Sequence, residues 1–399
     1  MNYDQTRKVV PFERSRRMPD PLRIAEFAET ARRLQREREE SAGVVSRLLQ
    51  ETPREQWPEL AQRAELRTSG ALEHLAALAG ELERDPQRSL AASELATAIA
   101  DSIPEDSYPR VVLAQLRASA WKERARALCY LSRYDESVAA LDRADAALAP
   151  FGTLAHDQAI IDFVRSIVLQ HLRRFDEAQA LLESCRVVFN DHGDVRLYRN
   201  CTVAAGNLLV RRGDYRAARE VLLVLLADGD AEATARARFA LGWCAIHLGR
   251  ADEALEHFAD AARRLQQLGS EMEVVRSVYG CGSALLRLGR VDEAIERLTS
   301  ARTRFLAHAL VEEAGLCGLE IVEAEMLHGN FEGARTLASA IVHEFTKAAL
   351  NRRAVAALAY LQDAIAASSA TPEVVRNVHA YISSLKLDPA REFVPAGVN

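Results

Sequence analysis

No uncharged apolar stretch of this chain approaches the ~18 residues that a membrane-crossing helix needs. The first residues, MNYDQTRKVVPFERSRRM, are charged throughout and lack the apolar segment of a secretory leader. These absences predict a cytoplasmic protein with no membrane partner. Cysteine is scattered: Cys129, Cys185, Cys201, Cys244, Cys281 and Cys317 never form C-x-x-C, and each lies in an apolar helical stretch. Neither a disulfide framework nor a zinc site is expected from that pattern, and buried free thiols are. Catalytic signatures are missing as well. The chain has no G-x-x-x-x-G-K-[ST], H-E-x-x-H or G-x-S-x-G, and no G-x-G-x-x-G opening a helix after a strand. No nucleophile can be placed beside a base, so no catalytic residue, metal or cofactor is assigned and no enzyme is expected. Alternation at period two is absent too, which excludes strands and leaves an all-α fold.

The net charge of -6 gives no overall attraction to polyanions, so a nucleic-acid partner is not expected. Hydrophobic residues at 49% and charged residues at 27% suit a chain that folds in water.

What the sequence does have is a turn that recurs. It reads SRYDESVAAL, RRFDEAQALL, RGDYRAAREVL, LGRADEALEHF, LGRVDEAIERL and HGNFEGARTL. Taking Tyr134, Phe175, Tyr215, Ala251, Val291 and Phe331 as equivalent points, the spacings are 41, 40, 36, 40 and 40 residues. A fixed period of tens of residues means one supersecondary unit stacked on its own copies. Nine residues before each point stand Ala125, Ser166, Gly206, Gly242, Gly282 and Val322, and three after it Ser137, Ala178, Ala218, Ala254, Ala294 and Ala334. Small residues at two fixed places let antiparallel helices approach closely. Glycine at 213, 249, 289 and 329 supplies the left-handed residue that ends a helix, and Asp135, Asp176, Asp252, Asp292 and Glu332 suit the positive first turn of the next.

Outside the array, residues 1–20 read as a flexible basic arm, and Pro21 opens a long helix through Leu22, Phe27 and Leu34 to Leu49. Its mixed charges from Arg32 to Glu40 predict a solvated face. Thr52, followed by Pro53, predicts an N-cap for a short helix carrying Trp57 and Leu60. Thr68 to Leu82 and Asp85 to Ile103 read as a degenerate hairpin that caps the array, so that 21–107 forms an N-terminal helical region. The array occupies 108–385 as six to seven hairpins, the last being Asn351 to Ala367 with Thr371 to Leu385, and 386–399 is a tail.

The pattern of small residue, aromatic, alanine and L-G-x-x-(D/E)-E-A turn resembles the tetratricopeptide repeat, most closely in FALGWCAIHLGRADEALEHFADA and GCGSALLRLGRVDEAIERLTSA. Two features depart from it: the period is near 40 rather than the ~34 of the standard repeat, and the closing proline is missing. The resemblance implies an α-α superhelix, a solenoid of antiparallel helix pairs, whose first helices line a concave groove. The longer repeat is similar to that of bacterial regulators that hold signalling peptides or partner proteins there.

Carried over at 15, 12, 8, 5 and 4 residues before each reference point, the resemblance places Lys122, Arg126, Tyr130, Phe163, Ile167, Gln170 and His171 in the groove. The same offsets add Asn200, Val203, Asn207, Arg211, Arg236, Phe239, Trp243, His247, Arg276, Tyr279, Ser283 and Arg287. Arg, Asn and aromatic residues dominate binding energy at interfaces, so a protein or peptide segment, acidic in part, is the expected partner. For Phe163, Phe239 and Trp243, packing between neighbouring repeats is an equal reading. The family's clamp for two carboxylates is not expected, because Arg126 follows Lys122 where Asn is needed and Val203 stands beside Asn207. Two other functions compete with a signalling or regulatory scaffold: a helical-repeat nucleic-acid binder and a hydrolase with His247 in the groove. Oligomeric state is not encoded in the pattern.

Overall fold

The structure, a computed structural model, describes residues 21–81, 85–227, 229–385 and 388–394, with the side chains of α1 from Ala28 onward. The basic arm at 1–20, Leu82, the side chains of Leu22 and Phe27, and tail residues 386, 387 and 395–399 lie outside it. Among the described residues there is no strand, and consecutive helices pair antiparallel as a solenoid of hairpins. The chain divides into two compact units, 1–164 and 165–399.

The first unit holds α1 (Pro21–Glu51), a 3-10 segment (Arg54–Gln62), α2 (Ser69–Ala79), α3 (Pro86–Ser102), α4 (Arg110–Tyr130) and α5 (Tyr134–Leu148). Thr68 and Asp85 cap α2 and α3 as their sequences require, accepting from the amides of Ala71 at 3.2 Å and Arg88 at 2.8 Å. Thr52 caps nothing. Its carbonyl accepts the Trp57 indole N–H at 3.1 Å, while Pro53 takes the cap position and Pro58, which has no N–H to donate, keeps the segment 3-10. The charged run of α1 is also not wholly a solvated face. Glu37 turns inward, accepting Tyr108 Oη at 2.5 Å, Ser69 Oγ at 2.7 Å and Arg33 Nε at 2.8 Å. Burial alone would raise the Glu37 carboxyl, yet these donors hold it below the usual carboxylate range.

α6 (Ala155–His171) carries the chain into the second unit, which continues with α7 (Phe175–Asp191), α8 (Val195–Arg212), α9 (Tyr215–Leu223) and α10 (Ala231–His247). It goes on through α11 (Ala251–Gln267), α12 (Glu271–Arg287), α13 (Val291–Ala307), α14 (Val311–Leu327), α15 (Phe331–Lys347), α16 (Arg352–Ala366) and α17 (Pro372–Leu385). The small positions are where paired helices meet. In α4 and α5, Ser137 Oγ donates to the Ala125 carbonyl at 2.7 Å; in α10 and α11, a Cβ on Gly242 would stand 2.6 Å from the Phe258 ring. The turn residues are left-handed, with φ of 72° at Gly249 and 74° at Gly289. Where the glycine is missing, Ser132 and Arg173 take the same conformation at 60° and 62°, a strain that the flanking helices impose.

Gly242→Ala puts a methyl against a fully buried ring, a cost of about 1–3 kcal/mol. A lower thermal midpoint is expected by circular dichroism; an unchanged one would mean that α10 and α11 do not meet through this face.

Candidate functional site

The groove positions on α8, α10 and α12 come together. Steps of three and four residues put Val203, Asn207 and Arg211 on one face of α8, and Arg236, Phe239 and Trp243 on one face of α10. With Val210, Ala240, Leu265, Glu273 and Arg276 they line a pocket of about 470 Å³ inside the second unit. Its floor is aromatic and aliphatic. Phe239 and Trp243 are half-buried and stand edge-on to Phe258, with centroids at 5.9 and 5.2 Å, so each serves both the core and the pocket. Its rim is polar and mostly cationic. Arg236 reaches Glu232 at 2.8 Å, whereas among the described residues the side chains of Asn207, Arg211 and Arg276 make no hydrogen bond or ion pair. Unspent donors beside an apolar floor suit a ligand that offers a carboxylate or carbonyl next to an apolar side chain.

The other predicted positions lie elsewhere. In the first unit, Lys122 and Arg126 on α4 both reach the buried Glu123, at 2.9 and 2.8 Å, which neutralises much of their charge. Tyr130 is exposed and Phe163 half-buried. In the second, Gln170 and Asn200 are half-buried, and Ile167 and His171 exposed. His247 stands outside the pocket, its ring stacked on Tyr215 at 4.2 Å. Loss of water, then the nearby Arg287, lowers its pKa below the ordinary imidazole value.

The tetratricopeptide-repeat family model matches residues 203–268, the segment that supplies all of this pocket's lining but Glu273 and Arg276. Over that segment the chain carries tetratricopeptide repeats. No curated protein matches it. In fold it is similar to a signal-transduction ATPase with numerous domains from Pyrococcus horikoshii that carries a tetratricopeptide repeat sensor, at 14% identity and a TM-score of 0.54. That match covers 83% of this chain but spans only 53% of the Pyrococcus protein. Aspartyl phosphate phosphatase F from Bacillus subtilis is similar at 12% identity and a TM-score of 0.52, over 69% of this chain and 71% of that one. The quorum sensor NprR from B. thuringiensis is similar at 11% identity and a TM-score of 0.52, over 81% and 99%.

Of the remaining groove positions, Tyr279 is half-buried, Ser283 is buried, and Arg287 is exposed but paired. They join a cluster under the last helix, where Tyr279 Oη stands 3.3 Å from Glu320 Oε1 and 3.2 Å from His379 Nε2. Ser283 Oγ donates to Glu320 Oε2 at 2.6 Å, and Glu323 Oε1 takes Arg287 at 3.3 Å and Arg376 at 2.7 Å. Glu320 and Glu323 are 4% and 3% exposed, so the two carboxyls are shut off from solvent and the Ser283 hydroxyl is spent on one of them. Sequence reasoning missed Glu320, Glu323, Arg376 and His379. The groove offsets, applied to Phe331, do reach Glu323; nothing local reveals that α17 covers it.

Among the described residues no group of His, Cys, Asp or Glu is arranged to hold a metal ion, and no helix is long and apolar enough to cross a membrane. All the cysteines but Cys129 are buried, and burial pushes the thiols of Cys129, Cys244 and Cys281 up to about 11, which keeps them from acting as thiolates.

Burial pushes the Glu320 carboxyl up to about 7 from an ordinary 4.5, while burial and then Arg287 bring His379 down to about 4 from 6.5. The raised carboxyl contributes stability that is full below 4.5 and lost as pH rises through about 7. The lowered imidazole contributes stability that is full above 6.5 and lost as pH falls through about 4. The two slopes oppose each other where these windows overlap. Glu320→Gln removes the first, so the variant's thermal midpoint should rise between pH 5 and 6.5 more steeply than that of the wild type. Equal slopes would show that Glu320 does not titrate there.

Proposed function

We propose that this chain is a non-catalytic regulator that captures a protein segment or signalling peptide, acidic in part, in the α8–α10–α12 pocket. One observation carries the reading: predicted groove positions from successive hairpins converge on an apolar floor whose rim offers Asn207, Arg211 and Arg276, which have no side-chain partner among the described residues. An amide can bond a peptide backbone in both directions and a guanidinium can grip a carboxylate with two parallel bonds.

Fold similarity supports a place in bacterial-type signalling or transcriptional control, since similar folds belong to a signal-transduction sensor and a quorum sensor. It also extends to an aspartyl phosphate phosphatase, so the non-catalytic reading rests on side chains. Every thiol but that of Cys129 is buried, burial pushes the Cys129 thiol up to about 11, His247 is stacked on Tyr215, and Ser283 is buried against Glu320. Nothing at the rim pairs a nucleophile with a base. The absence of a membrane-crossing helix among the described residues accords with action in the cytoplasm.

Asn207→Ala with Arg236→Ala changes exposed side chains and leaves the core intact. The double variant is expected to lose at least nine-tenths of the partner that the wild-type protein retains in a pull-down from its own cells, with an unchanged thermal midpoint. Full retention would remove the pocket as the capture site.

A further inference from the structure

The last helix of the chain already occupies the groove row. Leu316, Leu319, Glu323 and Met326 stand 15, 12, 8 and 5 residues before Phe331, the groove offsets, and they are only 8%, 0%, 3% and 6% exposed. What buries them is α17, whose Val375, Val378 and Ile382 pack with the apolar three in one core. Those α17 residues follow the three-and-four spacing of a single helix face. One residue beyond Val375 and Val378, Arg376 Nη1 meets Glu323 at 2.7 Å and His379 Nε2 stands 3.7 Å from Glu320. The chain thus shows how this row reads a helix: an apolar stripe goes inward, and beside it Arg376 meets the charge of Glu323 while His379 stands next to the Glu320 carboxyl.

The open stretch of the row also sets charge beside an apolar floor, with the opposite sign and at other offsets. Phe239 stands where α14 has Leu319 and Trp243 where it has Glu323, and Arg211, Arg236 and Arg276 stand at the rim with Glu273 as the one lining acid. A pocket of about 470 Å³ takes the apolar side chains of one or two helical turns, the way an amphipathic helix anchors in a hydrophobic groove. We infer that the segment captured at α8, α10 and α12 is an acidic amphipathic helix of a protein partner, docked as α17 docks on α14. This inference rests on the capture reading above and adds to it the conformation and charge pattern of the segment. An extended peptide would present alternate residues to the floor and has no counterpart in the chain; the helix does. Complementary charge selects the acidic partner over a basic one and speeds its encounter.

The probe is a fluorescent peptide of residues 372–385 in which Arg376→Glu and His379→Glu reverse the flanking charges, with the full chain as receptor. Anisotropy titrations are expected to show saturable binding. Affinity should fall at least tenfold for the unaltered 372–385 peptide, and equally for the acidic peptide carrying Asn377→Pro, which cannot be helical. A tenfold loss is also expected on the receptor variant Arg236→Ala, Arg276→Ala, whose circular dichroism should match the wild type. Equal binding of the proline peptide would overturn the helix, equal binding of the unaltered peptide would overturn the charge reading, and indifference to the receptor variant would overturn the site. No binding by the acidic peptide overturns helix docking outright. The pull-down with Asn207→Ala and Arg236→Ala then reports separately whether segment capture itself stands.

Discussion

The second unit depends on the contact between one aromatic ring and two helices that have no side chain where they meet it. Phe258 is fully buried on α11, and a Cβ on Gly242 of α10 or on Gly280 of α12 would come within 2.6 and 2.5 Å of its ring. The first helices of two successive hairpins therefore close on the same ring from either side. Because Phe239 and Trp243 lean edge-on against it, that ring also sets the floor of the pocket. Core packing and site geometry are here one constraint. A close-packed interior passes on even a methylene-sized change, so a shift at Phe258 would reach the groove.

Charge along the row is the second organising feature. The α8, α10 and α12 stretch is cationic at its rim, whereas α14 buries two glutamates. Ionised groups taken out of water must be paired or neutralised, and the two glutamates take different routes. Glu323 is paired with Arg287 and Arg376, while burial holds the proton of Glu320 up to about 7 against the pull of the Ser283 hydroxyl and of Arg287. The acidic end of the row is consumed internally by α17, and the cationic stretch keeps donors to spend.

Much of this was legible before folding was considered. The turn residues and the small positions follow from helix geometry at a fixed repeat, the groove offsets come from the resemblance to the tetratricopeptide repeat, and the structure puts Asn207, Arg211, Arg236, Phe239, Trp243 and Arg276 around one pocket. Local reasoning failed where long-range contact overrides a local preference. Glu37 reads as one charge in a solvated run, but Tyr108, 71 residues later, brings it a phenol. Thr52 has the form of a cap, but Pro58 removes the α-helix it would have capped. Tyr279 and Ser283 stand at groove positions, yet α17, whose His379 lies 100 residues beyond Tyr279, closes over that part of the row.

By itself, then, the sequence determined the repeating unit, because cap, turn and close approach are settled within one hairpin by residues a few positions apart. It also determined which side chains share one face of each first helix, since that follows from 3.6 residues per turn. Only the tertiary structure decided which of those side chains are spent and which are available. That depends on what lies across from them: a buried acid beside Lys122 and Arg126, an aromatic stack on His247, and α17 laid on α14 by an apolar face whose partner lies some 60 residues upstream. Pairing between distant faces is a matter of shape and burial, and a repeat whose copies share one pattern does not encode it.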